Sequence, residues 1–500
     1  MLNRNYLYPM PKKKALIIGA GIAGIATAIR LAVKGYAVEV FEANSYAGGK
    51  LSEFEKDGFR FDAGPSLFTM PQYVDELFKL AGKQQSDHFN YQKLDVTCNY
   101  FYEDGSKIIA YADADKFAAE VSKVTGETTA SIKKYAANSR NIYNITNHVF
   151  LERSLHQIKT YLNWATIKSI FRLPQIDAMR TMHKANTVFF KNYRVVQFFD
   201  RYATYNGSNP YTAPATLNVI PHIEQHFGAY FPNKGMYSIV TSLVDLAGLL
   251  GVKFHYNSPV EEIVLERRKA KGIKVKGELH IADVVVSNMD VWFTYHKLLK
   301  NHPQLYPQKI LKQERSSSAL IFYWGINKQF AQLDLHNIFF SGDYKAEFYH
   351  IWQQKNIYHD PTVYLNISSK FKADDAPKGC ENWFVMINVP ANTGQDWDKL
   401  IADARQNILT KLSKNLGEDI SKLVISESIL DPRGIESKTS SYQGSIYGTS
   451  SNSQFAAFLR HANRSSKISN LYFCGGSVHP GGGIPLCLLS AKIMSDWCPL

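Results

Sequence analysis

Ala15-Leu16-Ile17-Ile18-Gly19-Ala20-Gly21-Ile22-Ala23-Gly24 is the stretch on which the fold turns, and Glu42, eighteen positions beyond Gly24, completes it. Ala15 to Ile18 reads as a buried strand, a helix runs on through Leu31 to Gly35, and Tyr36 to Phe41 forms the next strand. The glycines therefore sit at the turn of a βαβ unit. Gly19 permits the tight turn, Gly21 lets backbone approach a pyrophosphate at the positive end of the helix, and Gly24 allows close helix packing. Ile22 and Ala23 open the helix beside them, and Glu42, followed by Ala43, is placed to accept hydrogen bonds from a ribose. A dinucleotide site is expected from the strand, the spacing and the acidic residue together; the alternative is a glycine-rich turn with no ligand.

Gly48, Gly49 and Lys50 come next: paired glycines again allow backbone near phosphates, and Lys50 offers countercharge. That second glycine pair favours FAD over NAD. The alternative for this pair alone is a type II turn with no ligand.

Working outward, 500 residues with 45% hydrophobic and 20% charged side chains suffice for two or three domains, which excludes disorder and small disulfide scaffolds. Cys98, Cys380, Cys474, Cys487 and Cys498 show no metal-ligand spacing, so no metal is expected and a reducing cytoplasm is the default. Two membrane-like segments are decoys. Lys12 to Lys14 before an apolar stretch imitates a signal peptide, yet the stretch is the glycine turn itself. The uncharged run between Lys467 and Lys492 is long enough to span, but Gly475 to Pro485 breaks it into a strand, a glycine loop and a helix.

A helix is expected at Thr69 to Gly82, with Thr69 as N-cap, and another at Met236 to Leu250, followed by the strand Val252 to Tyr256. Glu262 to Arg267 with Ile273 to Val275 suggests a hairpin, and Ile281 to Val286 returns as one apolar strand. Strand-like pieces at Ala319 to Trp324 and Trp383 to Asn388 precede a polar helix near Trp397 to Lys414. The net charge is +13, and residues 131–200 alone hold eleven basic against three acidic residues, a net of +8. Tyr143, Phe150, Tyr161, Trp164, Phe171, Phe189, Phe190 and Tyr193 are interleaved with them, a mixture suited to an anionic lipid surface. No nucleic-acid motif accompanies the charge. A solvated basic face is the bland alternative.

Two further motifs complete the picture, Phe61-Asp62-Ala63-Gly64-Pro65-Ser66 and Gly475-Gly476-Ser477-Val478-His479-Pro480-Gly481-Gly482-Gly483-Ile484-Pro485. With the GAGIAG turn and Gly48-Gly49-Lys50, in that order, the chain resembles the carotenoid desaturases related to bacterial phytoene desaturase. The tail GGSVHPGGGIPLCLLSAK is similar to that of hydroxycarotenoid 3,4-desaturases. Tyr205 to Pro214 and Ala282 to Asn288 share the resemblance, which is weakest across 90–200 and 297–430.

The resemblance implies an α/β fold: a Rossmann-like FAD-binding domain of the flavin amine oxidase/phytoene desaturase type, a mixed α+β substrate domain and a helical membrane-facing part. The FAD domain is expected from 1–70, 222–296 and 430–500, the substrate domain from 71–105 and 297–429, and the basic helical part from 106–221. It implies hydride transfer from a carotenoid to flavin with proton loss from the adjacent carbon, at the 3,4-bond of a 1-hydroxylated or monocyclic substrate. Gly64, Pro65, Ser66, Val260, Asn288, Gly475, Gly476, Ser477, Gly482, Gly483, Ile484 and Pro485 join the cofactor contacts. Where many relatives carry Gly-Asp in the tail, Gly476 and Ser477 stand here, so the ribityl carboxylate contact is not carried over. His479 is the candidate catalytic residue, to orient flavin or accept a proton; a loop histidine bound only to backbone is the alternative. Pro485 in the first turn leaves helix amides facing the glycine loop, where they stabilise anionic flavin. Cys474 and Cys487 read as core thiols.

The expected location is cytoplasmic and peripheral, on the inner face of the cytoplasmic membrane, with oxygen or a quinone as electron acceptor. Alternatives are a multistep phytoene desaturase, a flavin amine oxidase-type enzyme on the same fold, and a non-catalytic FAD- or carotenoid-binding protein.

Overall fold

The computed structural model describes residues 12–147, 151–154, 156–162, 164–453 and 459–498. At its centre five parallel strands stand in the order Lys253–His255, Ala37–Phe41, Lys14–Ile18, Val284–Ser287 and Leu471–Phe473. Lys14–Ile18 lies in the middle, which is why its apolar run is continuous: helices and strands cover both of its faces. The helix Ile22–Val33 is buried from Ile22 to Leu31 and packs with Ser238–Leu249 and Ile484–Trp497 in one core. Three distant stretches of chain thus build one nucleotide-binding layer.

Two expectations need correcting here. Ile281 to Val286 is not one strand: Glu278–Ile281 ends an antiparallel meander with Val260–Glu266 and Lys269–Val275, whereas Val284–Ser287 enters the parallel sheet. The break falls where Asp283 pairs its N–H to the carbonyl of Lys14 and its carboxylate receives the Lys14 N–H at 2.8 Å. Thr69 is not an N-cap either. Its backbone pairs with Ala229 in a short sheet, Met70 turns the chain at φ +52, and the helix starts at Gln72 behind Pro71. Gly82 ends that helix at φ +68, as its position predicts.

A seven-stranded mixed sheet forms the second layer, ordered Val424–Leu430, Ser318–Ile326, Glu381–Val389, Val363–Asn366, His336–Phe339, Val96–Phe101 and Lys107–Tyr111. Alternation along its strands separates two faces. Leu320, Phe322, Val385 and Ile387 pack under the helix Trp397–Leu416. Ile321, Phe384, Met386, Ile338, Tyr364 and His336 point the other way and line a cavity. Because Val96–Phe101 and Lys107–Tyr111 pair as a hairpin in this sheet, the expected 105/106 boundary falls in the hairpin's turn, and the helical part begins at Ala114. Helices or short helical turns then follow through Phe227. Phe150 lies outside the described residues. No helix among the described residues is long and apolar enough to cross a membrane.

Candidate active site

Asn288 is the hub of the glycine turns. Its side-chain N–H donates to the carbonyl of Cys474 at 3.1 Å, joining the ends of two neighbouring strands. A Cβ on Gly21 would come to 2.6 Å from Asn288 Oδ1, and one on Gly475 to 2.6 Å from Asn288 Nδ2. A Cβ on Gly24 would meet the carbonyl oxygen of Gly19 at 2.2 Å. The glycine spacing therefore answers to the packing of the turns around one side chain as well as to a ligand. Gly19 itself turns the chain at φ +92, and the Gly48 N–H reaches the Ala20 carbonyl at 2.8 Å, holding the second glycine pair beside the first.

Two helix N-termini face the same space. Ile22–Val33 starts at Gly21 and Ile484–Trp497 at Gly483, and neither has a side-chain cap or an acidic residue in its first turn. Both first turns line the cavity, so their free amides and positive dipole ends confront whatever fills it. That donor set fits FAD: anionic pyrophosphate suits the first helix, and the electron-rich pyrimidine edge suits the second. Glu42 is buried at the same wall. Its Oε2 accepts from the Ala20 N–H at 2.7 Å and its Oε1 from the backbone and side chain of Asn44 at 2.9 and 3.0 Å, which leaves lone pairs for a hydroxyl.

Lys50 takes a different place from the phosphate countercharge expected of it. Its Nζ donates to the carbonyls of Ile446 and Ser445 at 3.1 and 3.4 Å, and burial lowers its pKa. Two of its three donors thus tie the glycine pair to the 445–446 segment. Ser477 accepts the Val291 N–H at 3.1 Å. Gly64 is fixed by sterics, since a Cβ there would lie 1.7 Å from the Lys50 carbonyl oxygen. Asp62 of the same motif receives the amides of Met236 and Tyr237 at 3.0 Å each and the Arg60 guanidinium at 2.8 Å, tying its strand Phe59–Asp62 to the 236–237 segment.

His479 donates from Nε2 to the carbonyl of Arg153 at 2.8 Å, so its lone pair is on Nδ1, which has no partner among the described residues. Burial, helped by His156 and Arg460, lowers its pKa to about 4. At neutral pH it is an uncharged, weakly basic ring held by backbone. Burial also raises the Cys474 and Cys487 thiols to about 12 and about 11, so neither is a ready thiolate nucleophile.

Of the cofactor contacts and the histidine expected from sequence, all except Gly24 line one cavity of about 1280 Å³; Gly24 packs behind the turn. Val260 and Ala43 are among them, and so are Pro65 and Ser66. Sequence reading missed the polar groups on the far side. Arg201 lies over the rings of Tyr202, Tyr205 and Tyr100 at 4.6, 5.0 and 5.1 Å, with Glu224 at 3.7 Å. The Tyr202 hydroxyl donates to Glu224 at 2.7 Å and the Tyr205 hydroxyl to its other oxygen. His336, Tyr364 and Asn366 form a second cluster. The nearest sequence signal was the Y-x-x-Y turn at Tyr202 and Tyr205; Glu224 and Tyr364 have no spacing that announces them.

This geometry is that of a flavoprotein oxidoreductase. The family model for flavin containing amine oxidoreductases matches residues 22–496, and the chain belongs to that family as an FAD-dependent enzyme. Among curated relatives it is 51% identical over 487 residues, 97% of this chain and 99% of the other, to the 1-hydroxycarotenoid 3,4-desaturase of Flavobacterium sp. (strain P99-3). It is 33% identical over 491 residues, 97% of each chain, to the 4,4'-diapolycopene oxygenase of Methylomonas sp. Among solved structures, an oxidoreductase from Methanosarcina mazei matches with TM-score 0.61 at 16% identity, covering 97% of this chain and all of that one. Putrescine oxidase bound to putrescine matches with TM-score 0.63 at 12% identity, covering 97% and 98%. Those two likenesses establish the shared fold.

Proposed function

We propose that the protein is a carotenoid desaturase that introduces the 3,4-double bond into a 1-hydroxylated acyclic carotenoid at a membrane surface. The observation that carries this reading is the continuity of the cavity. It runs from the two helix N-termini, beneath the apolar face of the seven-stranded sheet, to Thr146, Leu151, Ile176 and Ala178 in the basic helical stretch. A cofactor cradle continuous with a lumen walled largely by apolar side chains suits a hydrocarbon chain, and the 51% identical relative names the class.

When bound, FAD would supply the acceptor for a hydride taken from one saturated carbon, and the adjacent carbon would lose a proton as the double bond forms. The chain's own work is to align the substrate and to keep water out. Ile321, Phe384, Met386, Leu217, Ile220 and Ile223 do so along the lumen. His479, weakly basic and fixed by the Arg153 carbonyl, orients the glycine loop. Burial of twenty carbons at ~0.8 kcal/mol each is worth on the order of 16 kcal/mol, so the substrate does not arrive through water. Trp164 is 78% and Phe171 82% exposed, with Leu162, Met179 and Tyr193 also exposed on the basic stretch whose inner residues reach the cavity. That combination supports peripheral contact with anionic lipid on the inner face of the cytoplasmic membrane. Oxygen or a membrane quinone then removes the electrons.

The test is to incubate purified, FAD-loaded protein with liposomes carrying phytoene, γ-carotene or a 1-hydroxylated acyclic carotenoid. Loss of two hydrogens from the hydroxylated substrate is expected. Progressive conversion of phytoene would instead assign an early multistep desaturase, and oxidation of amines alone would return the protein to the broader family's chemistry.

A further inference from the structure

Among the polar groups of the lumen wall, one cluster is built against the cofactor segment. The Tyr364 hydroxyl bridges Ser66 Oγ at 2.7 Å and His336 Nδ1 at 2.8 Å. Asn366 Nδ2 approaches the same ring nitrogen at 3.1 Å. An amide NH2 only donates, so Nδ1 carries the lone pair and the proton sits on Nε2. This Nε2–H has no partner among the described residues, although His336 is only 3% exposed and lines the cavity. Burial, with Arg201 adding to it, lowers the ring's pKa to about 3, so the donor is uncharged. Arg201 lines the same cavity, and its Nε and Nη2 also lack hydrogen-bond partners among the described residues, while the carboxylate of Glu224 balances its charge.

Unused donors without a free charge call for an uncharged oxygen. An anion would unbalance the Arg201 and Glu224 pair, and a plain hydrocarbon would leave desolvated N–H groups unmatched. Ser66 belongs to the motif at the cofactor end of the cavity, and Tyr364 ties the imidazole to it. In a 1-hydroxylated acyclic polyene a single carbon separates the carbinol carbon from the 3,4-bond. A group that grips the hydroxyl must therefore lie close to the place of reaction, and this cluster is tied through Tyr364 to Ser66 of the cofactor segment. Resting on the desaturase reading above, we propose that His336, together with Arg201 of the same lumen wall, is the subsite that receives the substrate's tertiary hydroxyl and selects against carotenoids lacking it.

His336→Leu and His336→Gln, each prepared as FAD-loaded enzyme, test this on liposomes holding either the 1-hydroxylated polyene or its counterpart without the hydroxyl. H336L is expected to lower kcat/KM for the hydroxylated substrate by about 10- to 100-fold and to leave the other unchanged or raised; H336Q, which keeps an N–H donor, recovers part of the loss. An equal fall on both substrates, or unaltered selectivity, overturns the subsite. Binding, read as quenching of protein fluorescence, gives a second readout that needs neither turnover nor a stable variant. Wild-type protein should bind the hydroxylated polyene at least about tenfold more tightly, and equal affinities overturn the proposal. Preferential binding without desaturation of either substrate would instead sink the desaturase reading while leaving the subsite standing.

Discussion

The cofactor cradle and the substrate lumen share one cavity, yet they are written into the chain in opposite ways. The cradle is made by backbone, and backbone that crowds a neighbour or a ligand demands glycine: Gly21, Gly24 and Gly475 close around Asn288 and the first turn, and Gly64 sits against the Lys50 carbonyl. The lumen is made by side chains on alternate positions of strands far apart in sequence, such as Ile321, His336, Tyr364 and Phe384. Backbone sites leave compact motifs. Side-chain cavities leave ordinary apolar strands, whose inward face appears only after the strands pair.

Mutation should expose the same division. The largest loss is expected from Glu224→Ala, which strands the buried Arg201 guanidinium in the lumen wall; about 3–5 kcal/mol of stability should disappear, read by chemical denaturation of the FAD-loaded protein. On the cradle side, Gly64→Ala puts a methyl group 1.7 Å from a carbonyl oxygen, so the turn must move. A cost of about 1–3 kcal/mol and a lower yield of bound FAD should follow. If G64A retained FAD as wild type does, the steric account of that motif would be wrong.

The strands and helices were legible where local pattern and burial agree. The βαβ unit, the helix starting near Met236 and the strands near Ala319 and Trp383 all stand close to their expected places. Pattern failed where tertiary pairing overruled it. Thr69 has the chemistry of a cap, but Ala229 claims its backbone; Ile281 and Val284 look like one run, but they join different sheets. Lys50 carries the charge expected near a phosphate, and only the fold reveals the 445–446 carbonyls that receive it. His336 gave no sign at all, because its meaning depends on Tyr364 and Asn366 across a strand pair.

Acid should weaken both regions together. The pKa values of His479, His461 and His222 are lowered to about 4, and that of His336 to about 3, each chiefly by burial. The unfolded chain binds protons near the ordinary histidine value of about 6.5, so unfolding takes up protons between there and the folded values. Stability is therefore complete above about 6.5 and declines as pH falls towards 4, by at most ~1.4 kcal/mol per pH unit for each ring. Denaturation midpoints across that range check the sign, and His479→Asn should flatten part of the slope.

The smallest stability effect belongs outside both regions. Trp164→Ser with Phe171→Ser removes exposed rings, so stability should change by no more than about 0.5 kcal/mol. Sedimentation with anionic liposomes should nevertheless fall several-fold, and turnover of liposome-borne substrate with it. Unchanged liposome binding would remove the membrane contact from the account.

The most direct measurement is anaerobic mixing of the FAD-loaded protein with liposomes carrying the 1-hydroxylated acyclic carotenoid, with flavin and polyene absorbance followed together. Loss of the oxidised flavin band in step with a red shift of the polyene, one flavin per new double bond, is the expected result. A polyene that binds while the flavin band stays oxidised and the carotenoid spectrum stays put would contradict it, and the cavity would then be a carotenoid-binding lumen without the chemistry.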